Sequence, residues 1–242
     1  MKIILSPSKT QNITISKNIA SKNNIIFSNL TIPLFENLQA LTKEELSKTL
    51  KIKGKLLEDT YKLYQKFDIT NKKLQAIDCY SGVVFEQIKA NTYNHEQLNY
   101  LNKSFVILSA MYGVLEPNTL IWPYRLDMTN KLKNIKLYDY WQEAVNNYFE
   151  DTDYIINLAS NEFSKLLKYQ QHKLINIHFL EKHDNKFKII SYNAKKARGK
   201  MANKIIKKQI TNLDQLKVLP IDDYLFNKFK STNKDFYFIK YD

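Results

Sequence analysis

The residues best equipped for chemistry in this sequence are its two arginines. The chain has 242 residues and 37 Lys plus Arg, yet only Arg125 and Arg198 are arginine. Glycine is equally scarce, at Gly54, Gly82, Gly113 and Gly199. Lys, Asn and Ile dominate, as expected where AT-rich codons have drifted in wherever they do no harm. Under such drift a retained arginine points to a planar fork that binds a carboxylate or phosphate through two bonds. A retained glycine points to a backbone angle or a close approach that a Cβ forbids.

Arg198 and Gly199 stand together in "SYNAKKARGKMANKIIKK", residues 191 to 208. A helix from about residue 195 to 210 puts Lys196, Lys200, Lys204 and Lys207 on one face. Met201, Ala202, Ile205 and Ile206 take the broad opposite side. The lysine stripe reads as a solvated face, and its members Lys196 and Lys200 are candidate contacts to nucleic-acid phosphates. Lys195 and Arg198 fall off the stripe, in the expected first turn. A cation there opposes the helix dipole unless an anion accompanies it. Two readings follow: Arg198 grips an anion in a pocket beside Lys195, or it makes a buried salt bridge to Asp127 or Glu116.

Arg125 lies in "SAMYGVLEPNTLIWPYRLDMTN", residues 109 to 130, with Tyr112, Trp122 and Tyr124. Aromatic rings interleaved with an arginine can stack on a base or hold a phosphate. The same stretch also reads as a rigid loop pinned by Pro117 and Pro123. A third glycine-bearing stretch, "LSKTLKIKGKLLEDTYKLYQKF" (46 to 67), reads as two helices joined through "KIKGK". It resembles a helix-hairpin-helix element, in which Lys51, Lys53, Gly54 and Lys55 would meet DNA phosphate. Gly54 as a cap between two ordinary helices is the plain alternative.

These groups need elements to position them. Short apolar runs read as strands at 2 to 6, 105 to 110, 154 to 159, 173 to 180, 186 to 192 and 236 to 241. Helical patterns lie between them: Thr42 with Glu45 forms a capping box, and 137 to 150 and 160 to 170 follow. The alternation predicts a single α/β domain with a mixed, partly parallel sheet and flanking helices. Only 15 to 25 is polar enough for a mobile loop. Polar clusters sit where the strands end, which is where ligands bind in α/β sheets. If the strands are parallel, Ser6, Ser8, Lys9, Tyr112, Tyr124, Arg125, Asn157, Ser160, Lys195 and Arg198 converge on one basic, hydroxyl-rich anion pocket.

The formal net charge is +13. It favours polyanionic partners such as double-stranded DNA or a nucleotide, although lysine drift raises the charge as well. Cys79 is the only cysteine, which excludes an internal disulfide and suits a reducing cytosol. The N-terminal apolar run is too short for a signal peptide, and no window approaches the ~18 apolar residues of a membrane span. A cytoplasmic protein with no membrane partner is expected. No CxxC or HExxH spacing, Walker loop or catalytic triad is present, so no metal, cofactor or reaction class is called for.

Five blocks together, "LSPSKT", "YSGVVFEQIKA", "LSAMYGVLEPNTLIWPYRLDM", "INLASNEFSKLL" and "KIISYNAKKARGKM", resemble the YaaA family of bacterial peroxide-stress proteins, in order and from about residue 3 to 240. The resemblance implies a single α/β domain of unusual fold with a positively charged cleft. It implies binding of double-stranded DNA, in part through a helix-hairpin-helix element, and a role in limiting damage by peroxide and free iron. The matched positions are Ser6, Pro7, Lys9, Gly82, Tyr112, Gly113, Pro123, Tyr124, Arg125, Asn157, Ser160 and Lys195 to Gly199. Two function classes result: a protective DNA-binding protein of the peroxide stress response, or an enzyme acting on a nucleotide or damaged base in the strand-end pocket.

Overall fold

The computed structural model describes residues 1–12, 24–68, 74–133, 135–184 and 186–241. Residues 15 to 23 of the expected mobile loop lie outside them. The framework is a mixed, mostly parallel eight-stranded sheet flanked by helices, as the α/β reading expects. Its strands are β1 (Lys2–Leu5), β2 (Phe105–Ser109), β3 (Gly113–Leu115), β4 (Ile155–Asn157), β5 (Leu174–His183), β6 (Lys186–Lys188), β7 (Leu225–Phe226) and β8 (Asp235–Lys240).

The order across the sheet is β7-β8-β5-β4-β1-β2-β3, with β6 folded back on the end of β5. Five central strands, β8-β5-β4-β1-β2, are mutually parallel. Their sequences explain this. Ile3, Ile4 and Leu5 are at most 1% exposed, and every residue of β2 is buried. Strands that are apolar on both faces need cover on both faces, the usual setting of parallel pairing. The edge strands β3, β6 and β7 pair antiparallel.

The chain lays down β1 first, steps one way to β2, then returns to the other side of β1 for β4, β5 and β8. The stepping direction reverses between β1 and β4. Loops leaving the carboxyl ends of two such strands diverge and open a crevice.

One strand reading is corrected. Residues 186 to 192 do not form a parallel strand: only Lys186–Lys188 pairs, and it does so antiparallel, as a hairpin on β5. Phe187 and Ile189 are 42% and 58% exposed, so their alternation buries no face. A helix begins at Ser191 and runs to Lys208. The helical pattern 160 to 170 is also broken, into a short helix Asn161–Ser164 and a 3-10 segment Lys168–Lys173.

The capping box is formed as expected. Thr42 and Glu45 cap the helix α1 (Lys43–Leu50). The connection 51 to 53 leads into α2 (Gly54–Gln65). Helix α3 is Ser191–Lys208.

Candidate functional site

A cavity of about 500 Å³ opens at the carboxyl ends of β1 and β4, where the stepping direction reverses. The loop after β1 forms one side of it, through Ser6 to Gln11. Several separate contacts fix that loop. Ser6 Oγ accepts the Ser160 backbone N–H at 2.7 Å and donates to Ser160 Oγ at 3.1 Å. Ser8 Oγ donates to the Ser81 carbonyl. Lys9 Nζ is 2.6 Å from Asp127 Oδ2. Gln11 Oε1 accepts the Tyr124 backbone N–H at 2.8 Å. Thr10 and Gln11 pair antiparallel with Ser81 and Tyr80. Anchored at so many points, the loop presents its side chains in a preorganised arrangement.

Arg125 reaches the cavity from a second loop. Tyr64 of α2, fully buried, holds that loop: its hydroxyl donates to the Arg125 carbonyl at 2.8 Å and accepts the Arg125 N–H at 3.2 Å. Tyr124 next to it is 3% exposed, and its hydroxyl bonds Ser109 Oγ at 2.8 Å and Tyr80 Oη at 2.9 Å. Burial pushes the Tyr124 phenol well above its ordinary value, so it stays neutral.

Arg198 and Lys195 come from α3. The helix starts four residues earlier than the sequence suggested, so they stand fifth and eighth in it, past the first turn. The dipole argument therefore does not apply to them, because that field fades beyond the terminal turn. Packing sets their direction instead. A Cβ on Gly199 would lie 2.3 Å from the Val84 carbonyl oxygen and 2.9 Å from Gln87 Cβ. Only glycine lets the helix press this close to the turn at 82 to 87, and Val83, Val84 and Phe85 of that turn line the cavity. Gly199 thus serves helix packing, and Arg198 beside it is carried to the cavity wall.

Arg198 does not make the salt bridge to Asp127 or Glu116. Asp127 is held by Lys9, and Arg198 Nε is buried without a hydrogen-bond partner among the described residues. Burial lowers the Arg198 pKa.

The structure brings Ser6, Ser8, Lys9, Tyr124, Arg125, Ser160, Lys195 and Arg198 together around the cavity. Two expected members are elsewhere, as corrections to the pocket reading. Tyr112 is fully buried, and its hydroxyl is bound within Trp122's backbone, donating to the carbonyl at 2.6 Å and accepting the N–H at 3.0 Å. Asn157 is 8% exposed and ties strand ends, donating to Asn176 Oδ1 at 2.8 Å and accepting the Ala159 N–H at 3.0 Å. Sequence reading missed Glu162, Phe163, Leu158 and the 83 to 85 turn as lining residues. Gly82, one of four glycines, was the available signal for that turn.

The lysine stripe is only partly solvated. Lys200 pairs with Asp222 and Lys204 donates to the Pro220 carbonyl, whereas Lys196 is exposed. At the hairpin, Lys51, Lys53, Gly54 and Lys55 are all exposed, while Ile52 is 6% exposed and anchors the turn. Lys51 and Gly54 have φ of 55° and 58°, so the chain reverses within three residues. Among the described residues, no side chain caps the amino end of α2.

Among the described residues, no helix is long and apolar enough to cross a membrane. No group of three or more His, Cys, Asp or Glu among them could hold a metal ion.

A family profile described as "Peroxide stress protein YaaA" matches residues 1–230. The chain is also similar along its length to proteins named UPF0246. It is 38% identical over 247 residues to one from Fusobacterium nucleatum subsp. nucleatum, covering 99% of each chain. It is 37% identical over 254 residues to one from Rickettsia felis, covering 99% of this chain and 100% of the relative. A relative from Rickettsia bellii is 34% identical over 249 residues, with the same coverage of 99% and 100%. With a family profile matched over nearly its whole length and relatives alike from end to end, the chain belongs to the YaaA family of peroxide stress proteins.

Proposed function

We propose that this protein acts in the peroxide stress response by binding and shielding duplex DNA without sequence preference. The observation that carries this reading is the turn between α1 and α2. Three lysines, Lys51, Lys53 and Lys55, stand exposed within five residues. The amino end of α2 beside them has backbone N–H groups that no side chain among the described residues caps. Free N–H groups at a helix start favour anions, and lysines add point charge suited to phosphate oxygens rather than base edges. The chain's charge of +13 supports encounter with a polyanion.

The test is binding of a labelled duplex, followed by anisotropy, across a salt series. If three phosphates are neutralised, log K against log salt has a slope of about −2.7, a roughly 40-fold loss between about 50 and 200 mM. Two unrelated duplex sequences should bind alike. Undetectable binding at low salt, or strong preference for one sequence, overturns the reading.

A further inference from the structure

Both arginines of the chain line the cavity between β1 and β4, and neither has a carboxylate partner among the described residues. Four cations, Lys9, Arg125, Lys195 and Arg198, face two carboxylates, Asp127 and Glu162. Both carboxylates are engaged. Asp127 holds Lys9, and Glu162 Oε1 accepts the Met128 N–H at 3.1 Å. Four cations against two carboxylates leave an excess of two positive charges among the described lining residues. A buried guanidinium nitrogen without a partner costs free energy that a ligand's anion would recover.

Charge names an anion, and the rest of the wall names what carries it. Pro7, Val84, Phe85, Leu158 and Phe163 give the cavity an apolar side with two rings. A bare inorganic anion would leave that side unused. About 500 Å³ is within the ~300–1,000 Å³ range of small-molecule sites and far too small for a duplex. The hydroxyl of Ser160 adds a donor. Ser6 gives its own proton to Ser160 Oγ, so the Ser160 proton is free to point elsewhere. Crevices at the reversal point of parallel sheets are favourable places for nucleotides.

From these features we infer that the cavity is a mononucleotide site. It takes a nucleoside monophosphate whose dianionic phosphate meets Arg198, Lys195 and the Ser160 hydroxyl, with the base against Phe85 and Phe163. A nucleotide extruded from a duplex, which enters such a pocket alone, offers the same base with a singly charged phosphodiester in place of the dianion. This site is independent of the hairpin contact proposed above.

The test is calorimetric titration of the full chain, without DNA, by the four deoxynucleoside 5′-monophosphates, their nucleosides and inorganic phosphate. At least one monophosphate should bind 10-fold or more tighter than both its nucleoside and inorganic phosphate. Arg198→Lys should weaken it at least 10-fold with an unchanged melting temperature, because lysine keeps the charge and loses the fork. If that variant does not fold, Lys195→Gln, at an exposed position, carries the same test with a loss of at least 3-fold. A second arm uses a duplex with 2-aminopurine at a mismatch. A rise in its fluorescence that Arg198→Lys abolishes assigns the nucleotide to DNA, and a flat signal with tight monophosphate binding assigns it to the free pool. Inorganic phosphate binding as tightly as every nucleotide overturns the inference, as does failure of both arms.

Discussion

The backbone N–H of Ser160 donates to Ser6 Oγ at 2.7 Å, joining the loops that leave two neighbouring parallel strands. Ser6 returns its own proton to Ser160 Oγ at 3.1 Å. The two serines lie 154 residues apart in the chain, yet they close the seam where the sheet changes direction. Ser6→Ala removes the acceptor and leaves the Ser160 N–H partly buried without a partner. The expected cost is about 1–2 kcal/mol. Chemical denaturation of the variant should show a lower midpoint with an unchanged slope, and an unchanged midpoint would mean that the seam does not contribute to stability.

Gly199→Ala sets two effects against each other. Alanine favours a helix interior over glycine by about 1 kcal/mol. Its Cβ, however, would meet the Val84 carbonyl oxygen at 2.3 Å, and a backbone oxygen cannot rotate aside. Overpacking of this kind costs about 1–3 kcal/mol and should win. The variant is expected to melt lower and to bind ligands in the cavity less well, since α3 carries Arg198. A melting temperature equal to or above that of the parent would show that the helix can retreat freely.

The arginines and glycines show how far the sequence could be read. Their scarcity flagged Arg125 and Arg198, which the fold brings to one cavity, and Gly199, where helix and turn touch. The apolar runs of β1, β2 and β4 were legible because strands buried on both faces carry few polar residues, while β5 and β8 were legible through their runs of Ile, Leu, Phe and Tyr. Residues 186 to 192 misled because alternation in a short stretch looks the same whether or not a neighbouring strand exists to bury it. Tyr112 and Tyr124 stand twelve residues apart in one loop region, and composition does not distinguish a tyrosine clamping Trp122 from one facing a cavity. Gly82 marked the 83 to 85 turn without showing where it points, and Glu162 carried no signal at all. Both reach the cavity through tertiary packing that leaves no local pattern.

Glu181 supplies a pH dependence. It is 7% exposed and accepts hydrogen bonds from Tyr224 Oη at 2.6 Å and Asn193 Nδ2 at 2.8 Å. Burial pushes its carboxyl up, but the bonds from Tyr224 and Asn193, with the Lys240 and His183 charges, outweigh burial and hold it below the ordinary range. A depressed folded pKa means that the unfolded chain takes up the proton more readily. The stabilisation is therefore present above the unfolded value of about 4.3 and is lost as pH falls through the folded value. Melting curves between about pH 6 and 3 should show a shallower acid decline for Glu181→Gln than for the parent. Equal declines would assign the acid sensitivity to other carboxylates.

The hairpin lysines offer a separation of binding from folding. Lys53 and Lys55 are exposed and make no ion pair with a described residue, so reversing both charges should change stability by no more than about 0.5 kcal/mol each. Their neighbours argue the same way: the turn is held by Ile52, whose N–H and carbonyl bond Ser47, and by the Lys43–Glu58 pair, none of which the substitutions touch. If Lys53 and Lys55 each neutralise one phosphate, Lys53→Glu with Lys55→Glu should flatten the salt slope by about 1.8 and weaken low-salt duplex binding by at least the two lost contacts. Repulsion from the introduced carboxylates adds to the loss. The measurement is a salt series on the double variant beside a melting curve. A variant that melts like the parent and binds duplex with the same slope would remove the hairpin as the contact. The DNA would then have to be met elsewhere, with exposed Lys196 on α3 the next lysine to reverse.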